Sequence, residues 1–328
     1  MEAFILFFQN LLSPGIICFF IGIFSGIIKK KLSLPKIISR YLAFYLIIAI
    51  GFKGGIALYE HNNVSIIMLQ VILAGLLIGL LQPFIGYFLL NLTTALDKAT
   101  SAAVAAHYGS ISMVTFIASI NFLNAQNVGY DGYIMIVVAL MEVPAIFSGL
   151  FLAKHSNDKS MPNLEKSTPK LIRKIFTNGT VVLLFAAFCI GYLNEKAGFT
   201  KIENMVIQPF QALLALFLFD MGLTVSREID HLKAFNLRLV LFGIYMPIIG
   251  AIIGITTAYC LDLSVGTGML FVILCASASY IAVPAVMRIA LPSAKAGIYV
   301  PMSLAITFPF NIVVGIPIYY ELAKLVLK

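Results

Sequence analysis

Ten apolar runs, at 11–28, 41–59, 65–90, 99–122, 133–153, 177–193, 209–225, 239–261, 266–287 and 298–323, divide the chain, with short polar stretches between them. Each is close to the roughly 20 residues an α-helix needs to cross a bilayer. The pattern predicts an all-α polytopic membrane protein of ten spans. The segment ahead of the first run carries Glu2 and no Lys or Arg. That is the reverse of a basic signal-peptide leader, so span one reads as a retained helix.

Charge then sets the orientation. With ten spans the connections alternate sides, and those after spans one, three, five, seven and nine carry 5, 1, 6, 3 and 2 Lys or Arg, which is 17 of the chain's 22. The opposite side with both tails carries 4, and Lys53 lies within a span. Basic connections stay cytoplasmic, so in the plasma membrane both termini are expected outside and the 154–176 connection in the cytoplasm. The net charge of +8 is thus a topology signal, and no soluble basic domain exists to hold nucleic acid.

Composition excludes several chemistries. The chain is 61% hydrophobic and 11% charged, against about 45–50% and 25% in soluble domains. Its longest polar stretch is too short for a domain of even about 50 residues. No Gly is followed by Lys, so there is no phosphate loop for ATP. Cys18, Cys189, Cys260 and Cys275 sit far apart in apolar runs, a spacing that suits neither zinc nor a disulfide frame. Asp220 is the one clear intramembrane aspartate, and neither Gly-x-Gly-Asp nor Asp-rich pairs occur. An intramembrane enzyme is therefore disfavoured.

Five spans followed by five require any repeat to be inverted. Four matches run in order: Lys53-Gly54-Gly55 with Asp220-Met221-Gly222, Gln82 to Gly86 with Met246 to Gly250, Gly109 to Ser112 with Ala276 to Ser279, and Pro144 with Pro309. Their offsets are 164 to 167 residues. Residues 1–153 and 177–328 are expected to be the two repeats, joined by 154–176.

Inverted-repeat transporters hold their cargo at mid-membrane, where paired helices are interrupted. Spans four and nine carry His107, Tyr108, Gly109, Ser110, Ser112 and Thr115, and Ser277, Ser279, Tyr280 and Pro284. Pro284 makes a regular helix through 280–284 hard to continue. Exposed N–H groups at a half-helix start favour an anion, carbonyls at a half-helix end favour a cation, and serine hydroxyls serve either. Small and hydroxylated residues also pack membrane helices, as the Gly-x-x-x-Gly pairs from Gly22, Gly51, Gly75 and Gly250 are expected to do. Lys53 and Asp220 hold equivalent positions and are expected to pair. His107 reads as a neutral core histidine or a proton shuttle.

The runs ASASYIAVPAVMRIALPSA (276–294), YGSISMVT (108–115), MEVPA (141–145) and GFKGGIAL (51–58) resemble the sodium-dependent bicarbonate transporter family known from cyanobacteria. The resemblance implies two inverted five-helix repeats with broken, crossed helices four and nine, related to bile-acid and sodium/proton transporters. It also implies sodium-driven bicarbonate uptake, with sodium as the coupling ion and no other cofactor. Gly109, Ser110, Ser112, Thr115, Ala276, Ser277, Ser279 and Tyr280 become the expected cargo site. Glu142, Ser112, Thr307 and Asn311 become candidate sodium ligands, Glu142 standing where the cyanobacterial pattern has Asp. Tyr280 replaces an Asp of that pattern, which opens another small anion or carboxylate, with different ion coupling, as the alternative; a passive channel is a more distant one. The short 154–176 connection speaks against the PII-like regulator of the better-known members, and a homo-oligomer is compatible with the glycine-rich faces.

Overall fold

The computed structural model describes residues 12–29, 32–61, 66–154, 179–193, 208–232, 235–280, 283–284, 286–287 and 291–327. Every regular element among them is helical: α1 (Pro14–Ile28), α2 (Lys36–His61), α3 (Ile66–Thr93), α4 (Lys98–Gly109), α5 (Met113–Ala125), α6 (Ile134–Lys154), α7 (Gly179–Leu193), α8 (Phe210–Leu232), α9 (Leu237–Cys260), α10 (Val265–Ala276) and α11 (Ala296–Val326). Of the described stretches, Ile66–Thr93, Lys98–Ala125, Ile134–Ala153, Leu237–Cys260 and Ala296–Val326 are long and apolar enough to cross a membrane. Shorter apolar helices such as Pro14–Ile28 and Val265–Ala276 accompany them. The chain is a multi-pass membrane protein. Leu69, Leu73, Leu77 and Phe88 face outward from α3, as an apolar solvent requires.

Several boundaries differ from those expected from the apolar runs. Helix α2 begins at Lys36 rather than 41, because Pro35 starts the turn and its carbonyl accepts from the Ile38 and Ser39 N–H groups. Arg40 is therefore part of the helix. Helix α8 runs on to Leu232 and carries Arg227 with it. The interruption in span nine lies at 277–280, ahead of Pro284 rather than at it, while Val283 and Pro284 are already helical. A proline is tolerated in a helix's first turn, where its missing N–H has no partner to lose.

Helix pairing divides the molecule. Helix α1 packs on α8 and α2 on α7, while α3, α4 and α6 form one group and α9, α10 and α11 another. Glycines permit the tightest crossings. A Cβ on Gly22 would run into the Phe219 carbonyl and one on Gly222 into the Phe19 carbonyl; between α2 and α7, Gly55 and Gly191 meet the Phe188 and Phe52 carbonyls in the same way. Where these last two groups meet, α4, α5 and α10 are the most buried helices, with α4 from Ala99 to Gly109 and all of α10 beyond Val265 buried. Two apolar clusters fill the interior. One gathers α5 and α10, the other gathers α4 with Ala278, Val283, Met287, Leu291 and Met302, and the two breaks fall between them.

The ends of this buried group are tied by matching hydrogen bonds. At one end Asp97 caps α4 by accepting from Thr100 N–H at 2.7 Å, and Thr100 Oγ1 accepts from Lys295 N–H at 3.1 Å. At the other, Ser264 Oγ donates to Thr267 Oγ1 at 3.0 Å, and Thr267 Oγ1 accepts from Asp131 N–H at 2.8 Å. Burial works against the Asp97 carboxylate, yet the Thr100 N–H and hydroxyl and the Lys295 ammonium at 3.3 Å together hold its pKa below the usual carboxylate value.

Candidate functional site

Helices α4 and α10 stop in the same manner. Their C-cap residues, Ser110 and Ser277, are both extended, with φ and ψ of −99° and 173° and of −97° and 171°. Helix geometry leaves the last carbonyls of each without intrahelical partners. At this depth no lipid group can satisfy them. Gln82 of α3 does so for both: its Nε2 donates to the Tyr108 carbonyl and to the Cys275 carbonyl, each at 2.7 Å. Its own Oε1 is buried without a partner among the described residues. Gly109 is small because Pro83 and the Gly79 carbonyl occupy the space a Cβ would take.

The two breaks are bonded across to each other. Ser112 N–H donates to Ser277 Oγ at 2.9 Å, and Ser279 N–H donates to the His107 carbonyl at 2.8 Å. Ser112 also caps α5, its Oγ accepting from Thr115 N–H at 3.2 Å and from the Thr115 hydroxyl at 2.9 Å. Ser279 Oγ accepts from Val283 N–H at 3.4 Å in the segment that follows. Each break therefore combines a spent helix end with a fresh helix start, and a hydroxyl stands at each start. The Ser110 hydroxyl is buried with no hydrogen-bond partner.

A cavity of about 210 Å³ opens on this junction, lined by Ser112, Met113, Val114, Ser279 and Tyr280 on one side and by Arg40, Phe44 and Ile47 of α2 and Phe217 of α8 on the other. The N–H groups of the first α5 turn, apart from the one Ser112 caps, are free by helix geometry to meet a guest there. Tyr280 lines this cavity with Ser112, and its hydroxyl is buried with no hydrogen-bond partner among the described residues. Its ring packs on Phe308, with centroids 5.3 Å apart, and Phe308 packs in turn on Phe19 of α1.

Gly109, Ser110, Ser112, Thr115, Ala276, Ser277, Ser279 and Tyr280 are thus brought to one junction. Thr307 and Asn311 lie next to it on α11, in two π-helical segments, Met302–Thr307 and Asn311–Gly315, that flank Pro309. Wide turns of this kind accompany interrupted helices and functional sites. Both side chains have partners. Thr307 Oγ1 donates to the Gly243 carbonyl and meets the Tyr108 hydroxyl, each at 2.7 Å, while Asn311 Nδ2 donates to the Ala276 carbonyl at 2.9 Å and its Oδ1 accepts from Tyr319 OH at 3.2 Å.

His107 is buried, its Nδ1 at 2.6 Å from the Ala103 carbonyl and its ring against Tyr299. A carbonyl only accepts, so Nδ1 carries the proton; Nε2 has no partner among the described residues. Asp220 is buried on α8 and lines a second cavity with Arg40, Thr224 and Arg227. The side chains of Lys53 and Glu142 lie outside the described residues, and with them the Lys53–Asp220 pair and the proposed carboxylate ligand. No group of three or more His, Cys, Asp or Glu that could hold a metal ion occurs among the described residues. Gln82 and Arg40 are site residues that sequence reasoning missed. A lone amide next to a proline in mid-span was the available signal for the first, and for the second there was none once it had been placed in a connection.

No curated protein matches the chain. A family model does, over residues 14–324, and by it the chain that carries these crossed breaks belongs to the Na+-dependent bicarbonate transporter superfamily.

Proposed function

We propose that the protein takes up bicarbonate together with sodium by alternating access, holding the anion between the breaks at 110–112 and 277–280. The observation that carries this reading is the meeting of two interrupted, fully buried helices at a cavity where Ser112, Ser279 and the first turn of α5 offer donors. Two partial positive helix ends and two hydroxyls suit a small oxyanion. Sodium finds its complement in the neutral oxygens near the helix ends, among them Ser112, Thr307 and Asn311 Oδ1, with Glu142 as the proposed charged ligand. One sodium with one bicarbonate is electroneutral, and each further sodium adds about 2.3 kcal/mol per 100 mV of potential.

Membership of this superfamily makes the chain a transporter and not an enzyme. The architecture we infer is two inverted five-helix repeats, 1–153 and 177–328. Its support is the exchange of partners under an offset of 164 to 169 residues. Gly22 on Gly222 becomes Gly191 on Gly55, the Thr100–Lys295 bond becomes Thr267–Asp131, and Gln82 joins the equivalent carbonyls 108 and 275. Basic connections place both termini outside the plasma membrane. A homo-oligomer fits the exposed apolar faces, and the short 154–176 connection favours operation without a PII-like regulator.

Tyr280 supports a second reading. A neutral phenol stands where the resembling family carries Asp, in a cavity with room for a small carboxylate, so cargo and coupling both differ in that case. Uptake of labelled bicarbonate into proteoliposomes, with and without an inward sodium gradient and at a pH where carbon dioxide is scarce, separates the two. Sodium-dependent accumulation is expected, together with its loss in Ser112→Leu and Ser279→Leu at undiminished membrane expression. Sodium-independent uptake of formate or acetate in its place would establish the second reading, and wild-type transport by the leucine variants would remove the site.

A further inference from the structure

The cavity beside the serines and the cavity beside Asp220 share Arg40, Ala43 and Phe217. The two cavities adjoin at these residues, so Arg40 stands where a passage between them would run. Arg227, near its end, is tied to its own helix, its Nε donating to the Leu223 carbonyl at 3.2 Å and its Nη2 to Thr224 Oγ1 at 3.0 Å. Arg40 is exposed and makes no ion pair or hydrogen bond among the described residues. Between it and the serines the wall is apolar, formed by Ala43, Ile47, Ile117 and Phe217. An anion that leaves Ser112 and Ser279 must cross this wall before water can solvate it, and an unpaired guanidinium offsets the cost of that crossing.

We propose that Arg40 forms a second anion subsite, for a planar oxyanion of the bicarbonate or carboxylate class, at the cytoplasmic mouth of the passage. The proposal rests on the reading of the two serines as the cargo site. A guanidinium presents two parallel N–H donors that match two oxygens of such an anion, which an ammonium does not. Among the described lining residues, two guanidiniums stand against the one carboxylate of Asp220, a net positive charge that favours anions over cations. Arg40 rides on α2, whereas the serines belong to α5 and the segment after α10. The subsite therefore sees cargo only when the passage is open toward the basic side of the membrane.

The test is uptake of labelled bicarbonate, over a range of concentrations and at two ionic strengths, into right-side-out and inside-out membrane vesicles, normalised to folded protein by size exclusion. Arg40→Gln is expected to raise the half-saturating concentration at the cytoplasmic face roughly tenfold, the loss of one charge-assisted contact, and by much less at the outer face. It should also abolish the salt dependence of that constant. Arg40→Lys keeps the salt dependence and recovers part of the affinity. An unchanged cytoplasmic constant, equal changes at both faces, or a change confined to the outer face overturns the subsite while wild-type transport stands. Wild-type vesicles that move neither bicarbonate, formate nor acetate overturn the cargo reading and the subsite with it.

Discussion

Gln82 illustrates how one side chain serves two helices at once. Its amide satisfies the ends of α4 and α10 in a place where neither water nor lipid reaches, so removing it orphans two carbonyls together. Leaving a buried acceptor unpaired costs about 1–3 kcal/mol. Gln82→Leu is accordingly expected to lower stability by about 2–4 kcal/mol, seen as a lower melting temperature in detergent, with Gln82→Asn between it and the wild type. A leucine variant that melts with the wild type would show that the two carbonyls are satisfied by other means. In the sequence Gln82 was visible only as part of a repeat motif, because its two partners are backbone atoms 26 and 193 residues away. The serines were easier to read. A hydroxylated Ser-x-Ser in an apolar run is an anomaly of composition, whereas a hydrogen bond to a remote carbonyl leaves no trace in composition at all.

Among the elements, periodicity and length located the helices, while the chemistry of their ends decided the boundaries. Pro284 drew the expected break to 280–284, yet the chain interrupts at 277–280 and uses the proline in the turn that follows. The sign of the signal was right and its position was off by one turn, since proline favours a helix start as much as it opposes a helix interior. Glycine spacing translated into structure more directly. Gly191 and Gly222 each face backbone of the crossing helix, which cannot give way, whereas a Cβ on Gly86 would meet Met246 Cε at 3.6 Å and Ala105 at 3.7 Å, ordinary contact distances. Gly191→Ala and Gly222→Ala should therefore each cost about 1–3 kcal/mol through forced helix separation. Gly86→Ala should gain about 0.5–1 kcal/mol from helix propensity. Melting temperatures of the three variants in one detergent decide the matter, and equal effects at all three positions would mean that the crossings are looser than their geometry implies.

For the whole molecule the decisive feature is where the space lies. The passage through Arg40 separates α2 and α8 from the breaks, and another cavity of about 330 Å³, lined by Ser13, Ala118, Asn121 and Gln126, separates α1 and α8 from α5 and α11. Across the same helices the Phe308 ring packs edge-on against Phe19 and against Tyr280. Two such gaps along one interface are what a rigid-body exchange of access requires, provided they open to opposite sides of the membrane. Neither gap was legible in the sequence, because the walls of α2 and α5 are apolar and read equally as lipid-facing or packed; the count of basic residues predicts only which end is expected to face the cytoplasm. Placement of the gaps on opposite sides of the membrane is testable in a background with Cys18, Cys189, Cys260 and Cys275 replaced. Ala43→Cys lines the Arg40 passage and should react with a membrane-impermeant thiol reagent in inside-out vesicles only; Ala118→Cys lines the other cavity and should react in right-side-out vesicles only. Addition of sodium and bicarbonate, by shifting the population between the two openings, should change the two rates in opposite directions. Labelling of both positions from the same side would put the two cavities in one compartment, and the interface could then not serve as the plane along which access alternates.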